Sequence, residues 1–280
     1  MYPTSQMSPA PSEPAAGSPC WLELASDQPD QAMAFYQTIM GWEYQQRTDG
    51  GGHEYFVATL LGEPVAGIRP VRRGLADWTV YLATADLTGL LRHSDLLGGN
   101  TIEAAHTVPA VGTKALVAAP AGAVFGACQL AADWAFLAGV PNSLVWAEFI
   151  THRAPQADQF FGELFGYTGQ QIGNGIDDDY MVWFAGEDSV IGRVQMMPGT
   201  PLDTPARWVA HFRTPLDRDF DDAVIEAHEA GARLRFRPYS SQFGRVAMMS
   251  DPTGVRFALI DPALAVESAG GSGADDPFDD

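Results

Sequence analysis

A chain of 280 residues is long enough for roughly two domains, and with 46% hydrophobic residues it can fill two modest cores. Lys and Arg number 16 against 35 Asp and Glu, a formal net charge of -19. That balance excludes a nucleic-acid surface, since phosphate contacts need basic faces, and disfavours anionic membranes, whereas it suits cationic ligands or simple solubility.

In chain order, residues 1–18, rich in Pro, Ser and Ala, read as a disordered tail. Residues 20–25 alternate as a strand does. Pro29 and Asp30 open a helix over 29–40, with Ala32, Phe35, Tyr36 and Ile39 at helical spacing and Gly41 as its C-terminal cap. Strands near 42–47, 54–61 and 64–71 follow, parted by Gly50-Gly51-Gly52 and Gly62-Glu63. The pattern restarts with a strand at 78–84, a helix at 86–97 ended by Gly98-Gly99, and strands near 101–106, 113–118 and 123–129. Residues 131–144 form a linker that Trp134 and Phe136 should anchor. The second copy ends with a helix at about 217–230, the turn Asp251-Pro-Thr-Gly254 and a strand at 255–260. Residues 263–280 read as an acidic disordered tail.

The copies are visible as a repeat. Trp21, Glu23, Phe35, Gly41, Tyr55 and Gly67 return as Trp146, Glu148, Phe160, Gly166, Tyr180 and Gly192, at a constant offset of 125. The offset grows to 130 between Trp78 and Trp208 and to 132 between Pro120 and Pro252, which places short insertions in loops of the second copy. The expected domains are 19–130 and 145–262, each a βαβββ pattern run twice.

Cys20 and Cys128 cannot make a disulfide framework or an all-cysteine zinc site and read as small buried residues in a reduced compartment. No basic residue precedes an apolar stretch at the N-terminus, and no run approaches the ~18 apolar residues of a membrane span. A cytoplasmic protein with no membrane and no nucleic-acid partner is expected.

The recurrent phrases are a short strand, an Ala-x-x-Phe-Tyr helix ending Met-Gly-Trp or Phe-Gly-Tyr, a Gly-Gly or Ala-Gly after the second helix, and Asp-Pro-Thr-Gly before a final strand. In this ordered, duplicated set the chain resembles the vicinal oxygen chelate (glyoxalase/bleomycin-resistance) superfamily in its two-domain actinobacterial form, over roughly 20–262. The resemblance implies an α+β fold of tandem glyoxalase-like domains, each with two βαβββ modules whose curved mixed sheet forms a ligand cup. Most enzymes of the superfamily hold a divalent metal with His, Gln or Glu on the first strand of each module and Glu on its last. Here the first-strand positions hold Trp21 and Trp146, and the closing Glu falls at Gly126 and Ala258. The remaining positions fall near Thr79 or Tyr81, Val209 or His211, and Arg69 or Gln195. At best Glu148, Gln195 and His211 could gather, in a rearranged site. Neither a resident metal nor another cofactor is expected.

Residues two apart on a strand share a face, so each cup should gain an indole with a carboxylate: Trp21 with Glu23, and Trp146 with Glu148. The indole offers a π-surface to a ring or a cation, and the carboxylate anchors an ammonium. Trp78, Tyr81, Trp183, Trp208, Phe243 and Met248 are further candidate walls, and His211 a candidate polar contact. The competing assignments are core packing for the tryptophans, structural carboxylates, a satisfied strand histidine, and hairpin packing for Tyr55 and Tyr180. The expected function is metal-free binding of a planar, cationic aromatic natural product. Metal-poor relatives include antibiotic-sequestering proteins and accessory proteins of antibiotic biosynthesis. A narrower resemblance, to accessory proteins of late anthracycline oxidation, implies a cytochrome P450 of the same pathway as partner, relieved of product inhibition. The alternatives are a metal-dependent or acid/base lyase, isomerase or dioxygenase, and a module that only docks to another protein.

Overall fold

The computed structural model describes residues 14–72, 76–172 and 179–266. Two modules build the first half. One is β1 (Pro19–Ser26), α1 (Pro29–Met40), β2 (Glu43–Thr48), β3 (Glu54–Leu60) and β4 (Glu63–Pro70). The other is β5 (Asp77–Ala83), α2 (Leu87–Leu96), β6 (Asn100–Val108), β7 (Gly112–Ala118) and β8 (Val124–Leu130). In the second half β9 (Leu144–Thr151), α3 (Ala154–Phe165), β10 (Thr168–Ile172), β11 (Tyr180–Ala185) and β12 (Asp188–Gln195) precede β13 (Arg207–Arg213) and α4 (Phe220–Glu229). β14 (Arg233–Leu234), β15 (Tyr239–Ser241), β16 (Gly244–Ser250) and β17 (Arg256–Asp261) complete it.

Each half is one curled mixed sheet. The first runs β2-β3-β4-β1-β5-β8-β7-β6, and the second repeats it as β10-β11-β12-β9-β13-β17-β16-β14, with β15 also on β16. The two modules of a sheet meet where β1 pairs antiparallel with β5, and β9 with β13. The tandem α+β architecture expected from the repeat is therefore present.

Local chemistry sets the element ends. Gly41 and Gly166 take left-handed backbone conformations and close α1 and α3 with their own N–H groups. Asp86 and Asp219 cap α2 and α4, accepting from Gly89 N and Asp222 N at 2.8 and 2.9 Å. The last helix thus begins at Phe220, with Asp217 and Arg218 outside it. The edge of the second sheet is broken into β14 and β15 around Pro238, which has no N–H for a ladder.

Alternate residues of every strand face away from the cups, and these faces merge into one core. Leu22, Leu24, Trp78 and Val80 of the first half share it with Phe149, Trp208, Ala210 and Phe212 of the second. The helices interleave the halves: Phe35 and Tyr36 of α1 lie 5.6 and 5.9 Å from Phe257 of β17, and Phe160 and Phe161 of α3 lie 6.1 and 5.3 Å from Phe125 of β8. The linker packs: Trp134 Nε1 donates to Cys20 O at 3.0 Å, and Phe136 lies 5.7 Å from Trp21.

Residues 14–18, grouped with the tail in the sequence, are tied down. Gly17 N donates to Ala83 O at 2.8 Å, and the Tyr167 hydroxyl donates to Gly17 O. At the other end Val266 N donates to Ser241 O at 3.1 Å. The tail assignments for 1–13 and 267–280 lie outside the described residues. Among the described residues no helix is long and apolar enough to cross a membrane.

Candidate functional site

Strand parity decides which side chains enter the cups. In β1, Trp21 and Glu23 face inward while Leu22 and Leu24 join the common core. In β5 the inward residue is Tyr81, and Trp78, an odd number of positions away, points to the core.

The first cup is filled by its own charges. Glu23 Oε1 accepts from Arg69 Nε at 3.0 Å and from the Tyr81 hydroxyl at 3.1 Å, and its Oε2 accepts from Lys114 Nζ. Lys114 Nζ also lies 4.7 Å from the centre of the Tyr81 ring. Trp21 Nε1 donates to the Tyr55 hydroxyl at 2.9 Å. Burial pushes the Glu23 carboxyl up, but Lys114 and Arg69 outweigh it and hold the group down at about 2. Two glycines make room: a Cβ on Gly67 would fall 1.8 Å from the Tyr55 oxygen, and one on Gly126 2.0 Å from the Tyr81 ring. The position where the resemblance implies a closing Glu is thus occupied by a tyrosine ring.

The second cup keeps the frame and changes the filling. Trp146 Nε1 donates to the Tyr180 hydroxyl at 2.8 Å, over Gly192 in place of Gly67. His211 Nε2 lies 3.1 Å from Glu148 Oε2. Burial acts to raise the Glu148 carboxyl, yet His211 and Tyr180 hold it below its ordinary range. Neither ring nitrogen of the buried His211 makes a hydrogen bond among the described residues; Nε2 stands at ion-pair distance from Glu148 and Nδ1 has no such neighbour. Trp146 and Phe243 stack at 5.9 Å and 18°, with Tyr180 5.6 Å from Phe243. Trp146, Tyr180, Phe243 and Met248 are half-buried, whereas Trp21, Tyr55 and Tyr81 are fully buried.

The registers show what has been exchanged. Ala25 pairs with Arg69 where Ile150 pairs with Val194, and Lys114 pairs with Cys128 where Val246 pairs with Ile260. Both cations that neutralise Glu23 are therefore valines opposite Glu148. His211 stands where Tyr81 does, beside Ala258 as Tyr81 is beside Gly126.

Of the candidate residues, the structure gathers Trp21, Glu23 and Tyr81 in one cup and Trp146, Glu148, His211, Phe243 and Met248 in the other. Three expected walls are not in the cups. Trp78 Nε1 donates to the Tyr36 hydroxyl at 3.2 Å, Trp183 Nε1 to Asp158 Oδ1 at 2.7 Å and Trp208 Nε1 to Val124 O at 2.8 Å, all from the common core. The reason is parity: Trp78 cannot share a face with Tyr81, nor Trp208 with His211. Gln195 is likewise turned away, bonded to Ala154 N and His152 O at 3.2 Å each. Sequence reasoning missed Lys114 and Arg69 as internal partners and read Tyr55 and Tyr180 as hairpin packing. The signal for the tyrosines was their shared offset with Gly67 and Gly192, small residues recurring opposite large ones.

The donor sets do not fit a divalent metal. The second cup offers one carboxylate and one imidazole, and the facing side chains are Val209, Val246, Met248 and Ala258, whereas a catalytic site needs about three protein ligands. In the first cup a divalent ion would meet the Lys114 ammonium. Among the described residues no three His, Cys, Asp or Glu converge.

No protein-family model matches the chain. CFP32 of Mycobacterium tuberculosis, which carries the name glyoxylase, is 30% identical over 264 residues, spanning 91% of this chain and 98% of the relative. The anthracycline biosynthesis protein DnrV of Streptomyces peucetius is 28% identical over 275 residues, 92% of this chain and 98% of its own. Among solved structures, the Mn(II)-bound glyoxalase of Novosphingobium aromaticivorans superposes with a TM-score of 0.64 at 13% identity, covering 90% of this chain and 86% of that one. The 2,2',3-trihydroxybiphenyl 1,2-dioxygenase of Sphingomonas wittichii superposes with a TM-score of 0.63 at 13% identity, over 88% and 91%. These two share the fold.

Proposed function

The chain belongs to the vicinal oxygen chelate superfamily in its two-domain glyoxalase-like form, and from that premise we propose that its second cup binds a planar aromatic amine without a resident metal. The observation that carries the reading is Glu148, a buried carboxylate that faces Val194 and Val246 where Glu23 has Arg69 and Lys114, and that has the His211 imidazole in place of a permanent cation. A buried carboxylate without a fixed cation is costly, and a ligand ammonium compensates it through a charge-assisted hydrogen bond. Trp146, Phe243 and Tyr180 supply aromatic faces at the half-exposed side, and with Nε2–H toward Glu148 the His211 Nδ1 can accept from a ligand hydroxyl. The first cup, in this reading, is a structural copy closed by Lys114.

The likeness to an anthracycline biosynthesis protein supports an accessory role in making such an antibiotic. The protein would hold the aromatic amine and relieve product inhibition of a cytochrome P450 of the pathway, or sequester the compound. Titration with planar amines, followed by tryptophan fluorescence, tests the site. Glu148→Gln should weaken an amine by about tenfold or more, as loss of a charged hydrogen bond worth roughly 1.5–3 kcal/mol requires. A deaminated analogue should bind weakly and ignore the substitution, while Trp146→Ala should weaken both. Unchanged affinity and unchanged amine preference in Glu148→Gln would overturn the reading.

One observation favours a second reading. Glu148 and His211 form a carboxylate–imidazole pair with a free Nδ1, the parts of a general acid–base catalyst. Turnover of the bound ligand that disappears in His211→Asn would select this reading over binding alone.

A further inference from the structure

Where the start of β13 meets the mouth of the first cup, a cleft of about 340 Å³ is lined by Val71, Ile102, Leu116 and Val124 together with Arg69 and Arg207. Its size lies within the range of small-molecule sites. Arg69 is satisfied, with Glu23 at 3.0 Å and Glu103 at 3.9 Å. Arg207 is not. Its Nη1 donates to Pro205 O at 3.1 Å, but its Nε is buried and has no partner among the described residues. Asp77 and Glu103 also line the cleft. Asp77 accepts from Trp78 N at 2.9 Å and makes no ion pair with Arg207 among the described residues. Glu103 is engaged by Arg69 and by His106.

Two more arginines act on Arg207 electrostatically without lining the cleft. Arg256 is on β17, the strand next to β13, and Arg235 donates its backbone N–H to Met248 O at 2.8 Å on β16. Burial and the repulsion of Arg256 push the Arg207 guanidinium down to about 10; Asp77 opposes the shift and Arg235 adds to it. Burial and then Arg235 lower Arg256 as well. Among the described residues none of the three has a carboxylate at ion-pair distance. Asp77 offsets part of the charge on Arg207 and Arg256 from beyond ion-pair distance, but three arginines against that one carboxylate leave a net positive charge. A bound anion relieves it, and a guanidinium receives a carboxylate in a planar fork.

We propose that this cleft is a second ligand site, for a small organic acid: its carboxylate is received by Arg207, whose positive field Arg256 and Arg235 reinforce, and its compact apolar body rests on Val71, Ile102, Leu116 and Val124. The inference is independent of the amine reading, since it uses neither Glu148 nor Trp146. Isothermal titration of the full chain with 2-naphthoate tests it, with 2-naphthylmethanol and inorganic phosphate as controls. Naphthoate should saturate one site, and both controls should bind at least tenfold more weakly, the alcohol for lack of charge and phosphate for lack of an apolar body. Arg207→Gln should weaken naphthoate at least tenfold with the melting temperature retained. Should Arg207→Gln fail to fold, the half-exposed Arg256→Gln carries the test with a loss of a few fold. Asp77→Asn should tighten binding a few fold, because it removes the carboxylate nearest the arginines. Naphthoate affinity that Arg207→Gln and Arg256→Gln leave intact, or phosphate binding as tight as naphthoate, overturns the assignment.

Discussion

Lys114 places an ammonium against Glu23 inside the first cup, with 1% of each side chain exposed. Breaking a buried pair from one side is costly because the partner charge stays behind. Lys114→Met should therefore destabilise the protein by about 3 kcal/mol or more, measured by urea unfolding, with Arg69 limiting the damage. The pH dependence has a defined sign. A carboxyl held down at about 2 contributes stability above the ordinary carboxylate range, and that contribution is lost as pH falls toward about 2. The acid-induced loss should be smaller in Lys114→Met, where the carboxyl has less to lose. The reciprocal substitution tests the second cup. Val246→Lys puts the ammonium of the first cup opposite Glu148, so it should abolish amine binding by fluorescence titration while leaving the fold intact. Undiminished amine binding in that variant would disconnect Glu148 from the ligand.

The turn between β16 and β17 does more than reverse the chain. Asp251 Oδ1 accepts from Thr253 N at 2.8 Å and Val255 N at 3.0 Å, and its Oδ2 accepts from the Tyr36 hydroxyl of α1 at 3.2 Å. A single side chain thus shapes a turn in the second half and ties it to a helix of the first. Asp251→Ala removes several hydrogen bonds worth about 1 kcal/mol each, so thermal unfolding should shift down by several degrees. Tyr36→Phe keeps the ring contacts and the turn's own hydrogen bonds but leaves the buried Trp78 Nε1 without its acceptor, so it too should lower the melting temperature. The elements themselves were legible in advance. The helix at 29–40 was marked by Pro29, Gly41 and a clear apolar stripe, and β1 by its alternation. The break between β14 and β15 was not, since Pro238 inside an edge strand is decided by which N–H groups the neighbouring strand needs. Trp78 and Trp208 were misplaced among the cup residues for a simpler reason, three-residue spacing in a strand, which parity alone forbids.

At the scale of the molecule the two halves share one core. Phe257 against Phe35 and Phe125 against Phe160 and Phe161 leave neither sheet covered by its own helices alone. Urea unfolding followed by fluorescence and by far-ultraviolet circular dichroism should therefore give one coincident transition. Two separated transitions would mean that the interleaved helices do not couple the halves. The sequence by itself determined the duplication, the order of strands and helices, and the pairing of an indole with a carboxylate at Trp21 and Glu23 and again at Trp146 and Glu148. Those are local and periodic properties, set by spacing, caps and turns, and they survive without knowledge of what packs where. The tertiary structure decided that the two carboxylates differ. Lys114 lies 91 residues from Glu23 along the chain, and only the register of β7 against β8 brings its ammonium into the first cup. The same register delivers Val246 to the second cup, where Glu148 is left facing His211 and a half-open aromatic wall.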